Sequence, residues 1–287
     1  MSSMNPSPAD LCVLLYDGTN YTFKDIGNQS QNNPALAVFN DTLYMAFTGT
    51  NYHLNIWSSS DGLTWGNQHI YDQNSSKVGP ALAVFNGLLY WAFTGTNGHL
   101  NLWSSSDGTT FGNQHVYDQN SSNVGPALAV FNGLLYWAFT GTDGYLNLWS
   151  SSDGVTFGDQ ITFNGQAGNP SAVSTVGPGL GVFNNTLYLA YSDTNQDLYT
   201  LATTDGRTWN PNYVTNESTV NPGMAVYQSS LYACILTGNF VPYLMMTPNG
   251  RKWNALTNEP PYYLSGAGVA LAAYQSNLVL AFPYTWP

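Results

Sequence analysis

Positive charge is what this chain has least of: its 287 residues include only 5 Lys or Arg against 16 Asp or Glu, for a net charge of −11. A protein that tracks nucleic-acid phosphates needs a basic face to release counterions, so that class is excluded. Charged residues of both signs make up 7% of the chain, against about 25% in ordinary globular domains. With 43% hydrophobic and 15% aromatic residues it is nevertheless no disordered acidic tail. Cysteine is nearly absent. Cys12 and Cys234 lie far apart in strand-like segments and are expected as two buried thiols, not a disulfide framework. No apolar run approaches the roughly 20 residues of a membrane span, and no basic segment precedes an apolar core near residue 1. The expectation is a soluble, cytoplasmic protein without a signal peptide.

Chemistry-bearing clusters are equally scarce. The four histidines form two copied pairs, His53 with His69 and His99 with His115, without Cys or Glu companions, so no metal site is expected. There is no nucleophile motif and no Gly-rich phosphate loop, so no cofactor is expected either.

What the chain has is repetition. Residues 33–78, 79–124 and the start of 125–176 align without gaps at a period of 46 residues, and weaker copies follow at 177–220 and 221–267. The tail, residues 268–287, matches only the first half of a unit, and the head, residues 1–32, only the second half. Splitting one unit between the two ends makes sense if the array closes on itself, whereas an open solenoid would need polar caps. Each unit has four strand-like runs, for example Ala81 to Phe85, Leu88 to Thr94, His99 to Ser104 and Thr109 to Tyr117, broken at Asn86-Gly87, Asn97-Gly98 and Asp107-Gly108. Nothing reads as a helix. The expected fold is all-β: one domain, a six-bladed β-propeller of four-stranded antiparallel blades, closed by terminal strands that share a blade.

The most regular motif is Ser-x-Asp-Gly-x-Thr-aromatic, at Ser59 to Trp65, Ser105 to Phe111 and Ser151 to Phe157, with Thr203 in place of Ser in Thr203 to Trp209. The Asp can accept hydrogen bonds from the turn's own amides and the Gly can take a positive φ, so a structural role suffices. The motif resembles the Asp-box of sialidase-type propellers, the bacterial neuraminidase repeat, in a variant one residue shorter between Asp and Gly. The resemblance implies that these turns mark the face opposite the ligand site. Blade 5 departs with Asn249 at the Asp position, and the closing blade has only a stretched version around Asp17-Gly18. A sialidase activity does not follow, because sialidases hold the substrate carboxylate with three arginines and this chain has two, Arg207 and Arg251, both inside such turns.

The opposite, upper face would then be built by the loops between second and third strands and those joining blades. In blades 1 to 3 these are rich in amides and short carboxylates that suit sugar hydroxyls: Asn51, Asn97 and Asp143, with Asp72-Gln73 and Asp118-Gln119. Alternation on the third strand puts His53, Asn55 and Trp57 on one face, likewise His99, Asn101 and Trp103, and Tyr145, Asn147 and Trp149. An aromatic plane beside an amide and an imidazole or phenol could hold a pyranose ring. Inter-blade packing is the competing role for those tryptophans. In the fourth and fifth blades the pattern degrades to Asp197, Tyr199, Leu201 and to Val241, Tyr243, Met245.

The resulting expectation is a non-enzymatic, multivalent lectin, similar to the propeller lectins of fungi and bacteria, binding neutral sugars such as N-acetylglucosamine, galactose or fucose. Its partners would be glycans or glycoconjugates, with no nucleic acid and no membrane span. Two alternatives stand beside it: a protein-interaction propeller, and a glycoside hydrolase or lyase using the chain's only glutamates, Glu217 and Glu259.

Overall fold

The computed structural model describes residues 9–166, 168–216, 218–237, 242–256 and 267–284. It contains six four-stranded antiparallel sheets and, among the described residues, no helix. Blade 1 runs Ala35–Phe39, Thr42–Thr48, His53–Ser59 and Gly66–Ser75 from the axis outward. The next three blades repeat this order, and the fifth ends in the short fourth strand Asn254–Ala255. The innermost strands, Ala35–Phe39, Ala81–Phe85, Ala127–Phe131, Gly179–Phe183, Gly223–Tyr227 and Ala270–Tyr274, lie side by side in a closed cycle. The sheets therefore form a β-propeller.

Closure occurs where the repeat arithmetic puts it. Ala270–Tyr274 and Asn277–Tyr284 supply the inner half of the sixth sheet, and Ala9–Tyr16 and Tyr21–Ser30 the outer half. Asp10 through Tyr16 pair in unbroken register with Tyr284 through Leu278. Both thiols are free and buried, and burial pushes each up to about 12, so neither is a nucleophile at neutral pH.

The core is divided into layers between blades. Trp91, Phe93 and Trp103 of blade 2 pack with Tyr44, Ala46 and Ile56 of blade 1, and Trp137, Phe139 and Trp149 of blade 3 pack with Tyr90, Ala92 and Leu102 of blade 2. Each sheet is thus apolar on both faces, which explains the high hydrophobic fraction and the scarcity of charge.

Turn chemistry sets the lower face. Between first and second strands of blades 1 to 5 the two central residues have positive φ, as at Asn40 (47°) with Asp41 (59°) and Asn86 (48°) with Gly87 (74°), the geometry that matches strand twist. Between third and fourth strands, Asp107 Oδ1 accepts from Thr109 N (2.8 Å) and Thr110 N (2.6 Å), while Ser105 Oγ accepts from Gly108 N (2.9 Å). This grip holds Thr109 to Phe111 in the turn, so the fourth strand of blade 2 starts at Gly112, three residues later than the sequence suggests, and continues to Ser121. Asn249 makes the same bonds in blade 5 at 3.0 and 3.2 Å, longer because no charge assists them.

These turns also lock neighbouring blades. The second-strand tyrosine of each of blades 1 to 4 lies over the turn glycine of the next: Tyr44 on Gly108, Tyr90 on Gly154, Tyr136 on Gly206 and Tyr188 on Gly250. Tyr44 Oη donates to Asp107 O (3.3 Å). From the outer strands, the Tyr71 hydroxyl donates to Thr109 O and Tyr117 Oη to Val155 O (2.6 Å).

Two outcomes are expected. A Cβ at Gly154 would lie 2.1 Å from Tyr90 Oη, whereas one at Gly133, also at positive φ, would meet nothing within 4 Å. In urea denaturation Gly133→Ala should therefore cost about 1 kcal/mol and Gly154→Ala about 3 kcal/mol; equal costs would refute the interlock. Second, turn amides accepted by the carboxylates hold Asp107, Asp153 and Asp205 well below the usual carboxylate range, and Asp61 falls from 3.8 to about 2. Depressed folded values mean stability that is complete above the unfolded value and is lost as pH falls from about 4 through about 2. Asp107→Asn should flatten that acid limb in melts recorded across this range.

Candidate ligand-binding site

The upper rim is built from one hydrogen-bond frame used in blades 1, 2 and 3. In blade 2, Gly95 N donates to His99 O (2.8 Å), Gly98 N to Gly95 O (2.8 Å), and His99 N to Asn97 Oδ1 (3.1 Å). Blade 1 repeats this with Asn51 and His53, and blade 3 with Asp143 and Tyr145. Below the loop, Asn101 Nδ2 donates to His99 O (2.9 Å) and Gln114 Nε2 donates to Asn101 Oδ1 (3.0 Å). Asn55 with Gln68, and Asn147 with Gln160, copy this bridge between third and fourth strands.

Adjacent blades meet over this frame. Thr96 N of blade 2 donates to Ser75 O of blade 1 (3.2 Å), and Ser76 of blade 1 forms an antiparallel bridge with Gly95 of blade 2. Between blades 1 and 2 the junction leaves a cleft of about 330 Å³ whose walls include Gln73, Asn74, Thr96, Asn97, Asn101 and Gln114. Gln114 Nε2 also reaches across to Asn74 Oδ1 (3.2 Å). With these bonds made, Asn97 keeps its Nδ2 hydrogens, Gln114 its Oε1 and Thr96 its hydroxyl, a set of neutral donors and acceptors facing solvent. No ionisable side chain lines the cleft among the described residues.

The residues singled out in the sequence therefore divide. Gln73, Asn97 and Asn101 come together in this cleft, and Gln119, Asp143 and Asn147 occupy the same repeat positions one blade on. Asp72 and Asp118 are exposed and each accepts from the following Gln side chain at 3.1 Å. Asn55, Asn101 and Asn147 are 5% exposed, so they brace the loop more than they present a surface. His53 Nδ1 lies 3.1 Å from Asn51 Nδ2, while His99 Nδ1 is buried without a partner among the described residues.

Trp57, Trp103 and Trp149 do not join them. His99 and Trp103 are four positions apart, about 13 Å along the strand, which is too far for one pyranose to touch both. The Trp103 ring is enclosed by Tyr71, Trp91 and Phe93 at centroid distances of 5.1, 5.7 and 5.1 Å, and Trp149 by Tyr117, Trp137 and Phe139 at 5.7, 6.0 and 5.2 Å. Alternation gave the correct face of the strand but not the depth along it. Glu217, Glu259 and Val241 lie outside the described residues. Asn74, next to Gln73 in the same polar loop, joins Gln73, Asn97 and Asn101 in the cleft, whereas Gln114 escaped selection. The Asn-Gln pair at the same place in blades 1 and 2, with Asp-Gln in blade 3, was the available signal for Gln114.

Because the ring is enclosed, Trp103→Ala should lower stability by about 3 to 5 kcal/mol, visible as a large drop in the urea midpoint. An unchanged midpoint would show the ring to be dispensable to packing.

No protein-family model and no curated protein matches the chain. Solved structures do share its fold. The lectin SapL1, in complex with alpha methyl fucoside, aligns at 14% identity and TM-score 0.64 over 88% of this chain and 88% of its own. The Aleuria aurantia lectin aligns at 12% identity and TM-score 0.64, again over 88% of each chain. Trypanosoma rangeli sialidase aligns at 12% identity and TM-score 0.61 over 97% of this chain and 58% of its own. Identities this low establish the propeller fold that the chain has in common with them.

Proposed function

We propose that the chain is a lectin that binds neutral sugars, of the N-acetylglucosamine, galactose or fucose kind, in upper-rim clefts between blades. The observation that carries this reading is the cleft between blades 1 and 2, where amides and hydroxyls with spare hydrogen-bonding capacity are held on a rigid frame free of lining charge. Sugar hydroxyls both donate and accept, and mixed amide and hydroxyl walls meet both needs. The fold is one that lectins use, and one of the structural neighbours holds a fucoside.

Repetition supplies affinity. A single shallow sugar site has a Kd of about 1 mM, or about −4 kcal/mol, and repeating it on one rigid ring raises avidity by roughly 10² to 10⁴. Copies of the frame in blades 1, 2 and 3 supply the repetition. A glycosidase would need two carboxyl groups about 5 to 10 Å apart. Among the described residues, the axial cavity of about 190 Å³ is lined by Asn33, Asn221, Gly79 and similar neutral groups, without a carboxylate.

The test is a glycan array followed by competition with free monosaccharides. Binding to a neutral glycan, displaced by the monosaccharide at millimolar concentration, is expected. Asn74→Ala and Thr96→Ala should each weaken it by about three- to tenfold without changing the melting temperature. Protein captured by no glycan, or release of reducing ends from a glycan that it binds, would overturn the reading.

A further inference from the structure

The chain's few cations are not spread evenly. Of five, three (Arg207, Arg251 and Lys252) lie in the lower-face turns of blades 4 and 5. The residue after Asp-Gly or Asn-Gly is the variable position of the turn: Leu63, Thr109, Val155, Arg207 and Arg251 in blades 1 to 5. Each arginine walls a lower-face cleft against the preceding blade, of about 610 Å³ at Arg207 and about 560 Å³ at Arg251.

The two clefts differ in charge. Asp159 and Asp205 line the one at Arg207, so its guanidinium is offset. The cleft at Arg251 is lined by Tyr188, Asn184, Asn210, Asn212 and Asn249 and, among the described residues, holds no carboxylate. The difference comes from the turn itself: blade 5 has Asn249 where blades 1 to 4 have an Asp, and Asn249 Oδ1 still accepts from Arg251 N and Lys252 N. The hydrogen-bond role of the Asp is kept and its charge is removed beside an Arg-Lys pair.

Arg251 is also held in place. Asn212 Nδ2 of blade 4 donates to Arg251 O (3.1 Å), so both the N–H and the C=O of this residue are tied down and the side chain leaves a fixed base. Burial raises the Tyr188 phenol above its ordinary value, so its hydroxyl stays protonated at neutral pH. A planar guanidinium matches a carboxylate in bidentate fashion, and surrounding amides and hydroxyls match a polyol. A cleft of this volume suits a small ligand.

We infer that the lower-face cleft between blades 4 and 5 is a second binding site, for a carboxylate-bearing sugar of the hexuronate type, in which Arg251 grips the carboxylate and the surrounding asparagines read the ring hydroxyls. The chain's net charge of −11 disfavours anions in general, but the local field at this turn is reversed. The inference stands apart from the upper-rim reading, since it concerns another face, other blades and a ligand of opposite electrostatic character.

Calorimetry on the full chain at low salt, with methyl β-glucuronide and methyl β-glucoside as probes, tests it. The glucuronide should bind at least about tenfold more tightly than the glucoside. Arg251→Gln should abolish that preference. Asn249→Asp should abolish it too while leaving the melting temperature unchanged or raised, because four other turns fold with Asp at this place. Asn74→Ala, on the upper rim, should leave the preference intact. Equal affinity for the two glycosides, or a preference that survives either Arg251→Gln or Asn249→Asp, would overturn the assignment. Competition by acetate as effective as by the glucuronide would overturn the sugar component.

Discussion

The antiparallel pairing of Ala9–Tyr16 with Asn277–Tyr284 joins the beginning of the chain to its end, and the other contacts of the molecule are arranged around the ring it closes. Every blade is apolar on both faces, and each face is covered by the blade beside it. In an open array two such faces would stay wet. Closure removes both at once and places Leu11, Val13 and Leu15 against Leu43, Met45 and Phe47 of blade 1. Stability is therefore a property of the ring more than of any one sheet, and tyrosines of blades 1 to 4 reaching over the glycines of the next turn make those four junctions directional.

A ring held this way separates invariant geometry from variable chemistry. On the upper rim the backbone frame and the Asn–Gln bridge are the same in blades 1 to 3, with Asp143 in blade 3 standing where blades 1 and 2 have Asn51 and Asn97. On the lower face the Ser/Thr and Asp/Asn side chains fix the turn and leave the following residue free, which is where leucine, threonine and valine give way to arginine. One fold thus supports two electrostatically different kinds of cleft on opposite faces.

The fold was legible in the sequence because its period is short and its punctuation explicit. Asn-Gly and Asp-Gly turns mark the hairpins, and half-units at the two ends announce the closure. Strand ends were less legible, since the Asp107 grip extends the turn through Phe111 in a way that β-propensity does not reveal. The candidate site was legible only in part. Loop composition located Asn97 and Gln73, but alternation cannot distinguish the solvent end of a strand from its buried end, so Trp103 was grouped with His99 although its ring lies in the core between blades. Gln114 is a polar side chain inside a strand, and its role depends on Asn74 of the neighbouring blade, a contact across 40 positions that no local pattern encodes.

The most direct test of the account is to follow side-chain amide resonances by NMR while a neutral methyl glycoside is titrated into the protein. The account predicts shifts concentrated at Asn74, Asn97 and Gln114 and at their counterparts on the rims of the neighbouring blades. Shifts centred instead on Asn33 and Asn221 around the axial cavity, or no shifts with any neutral glycoside, would contradict it.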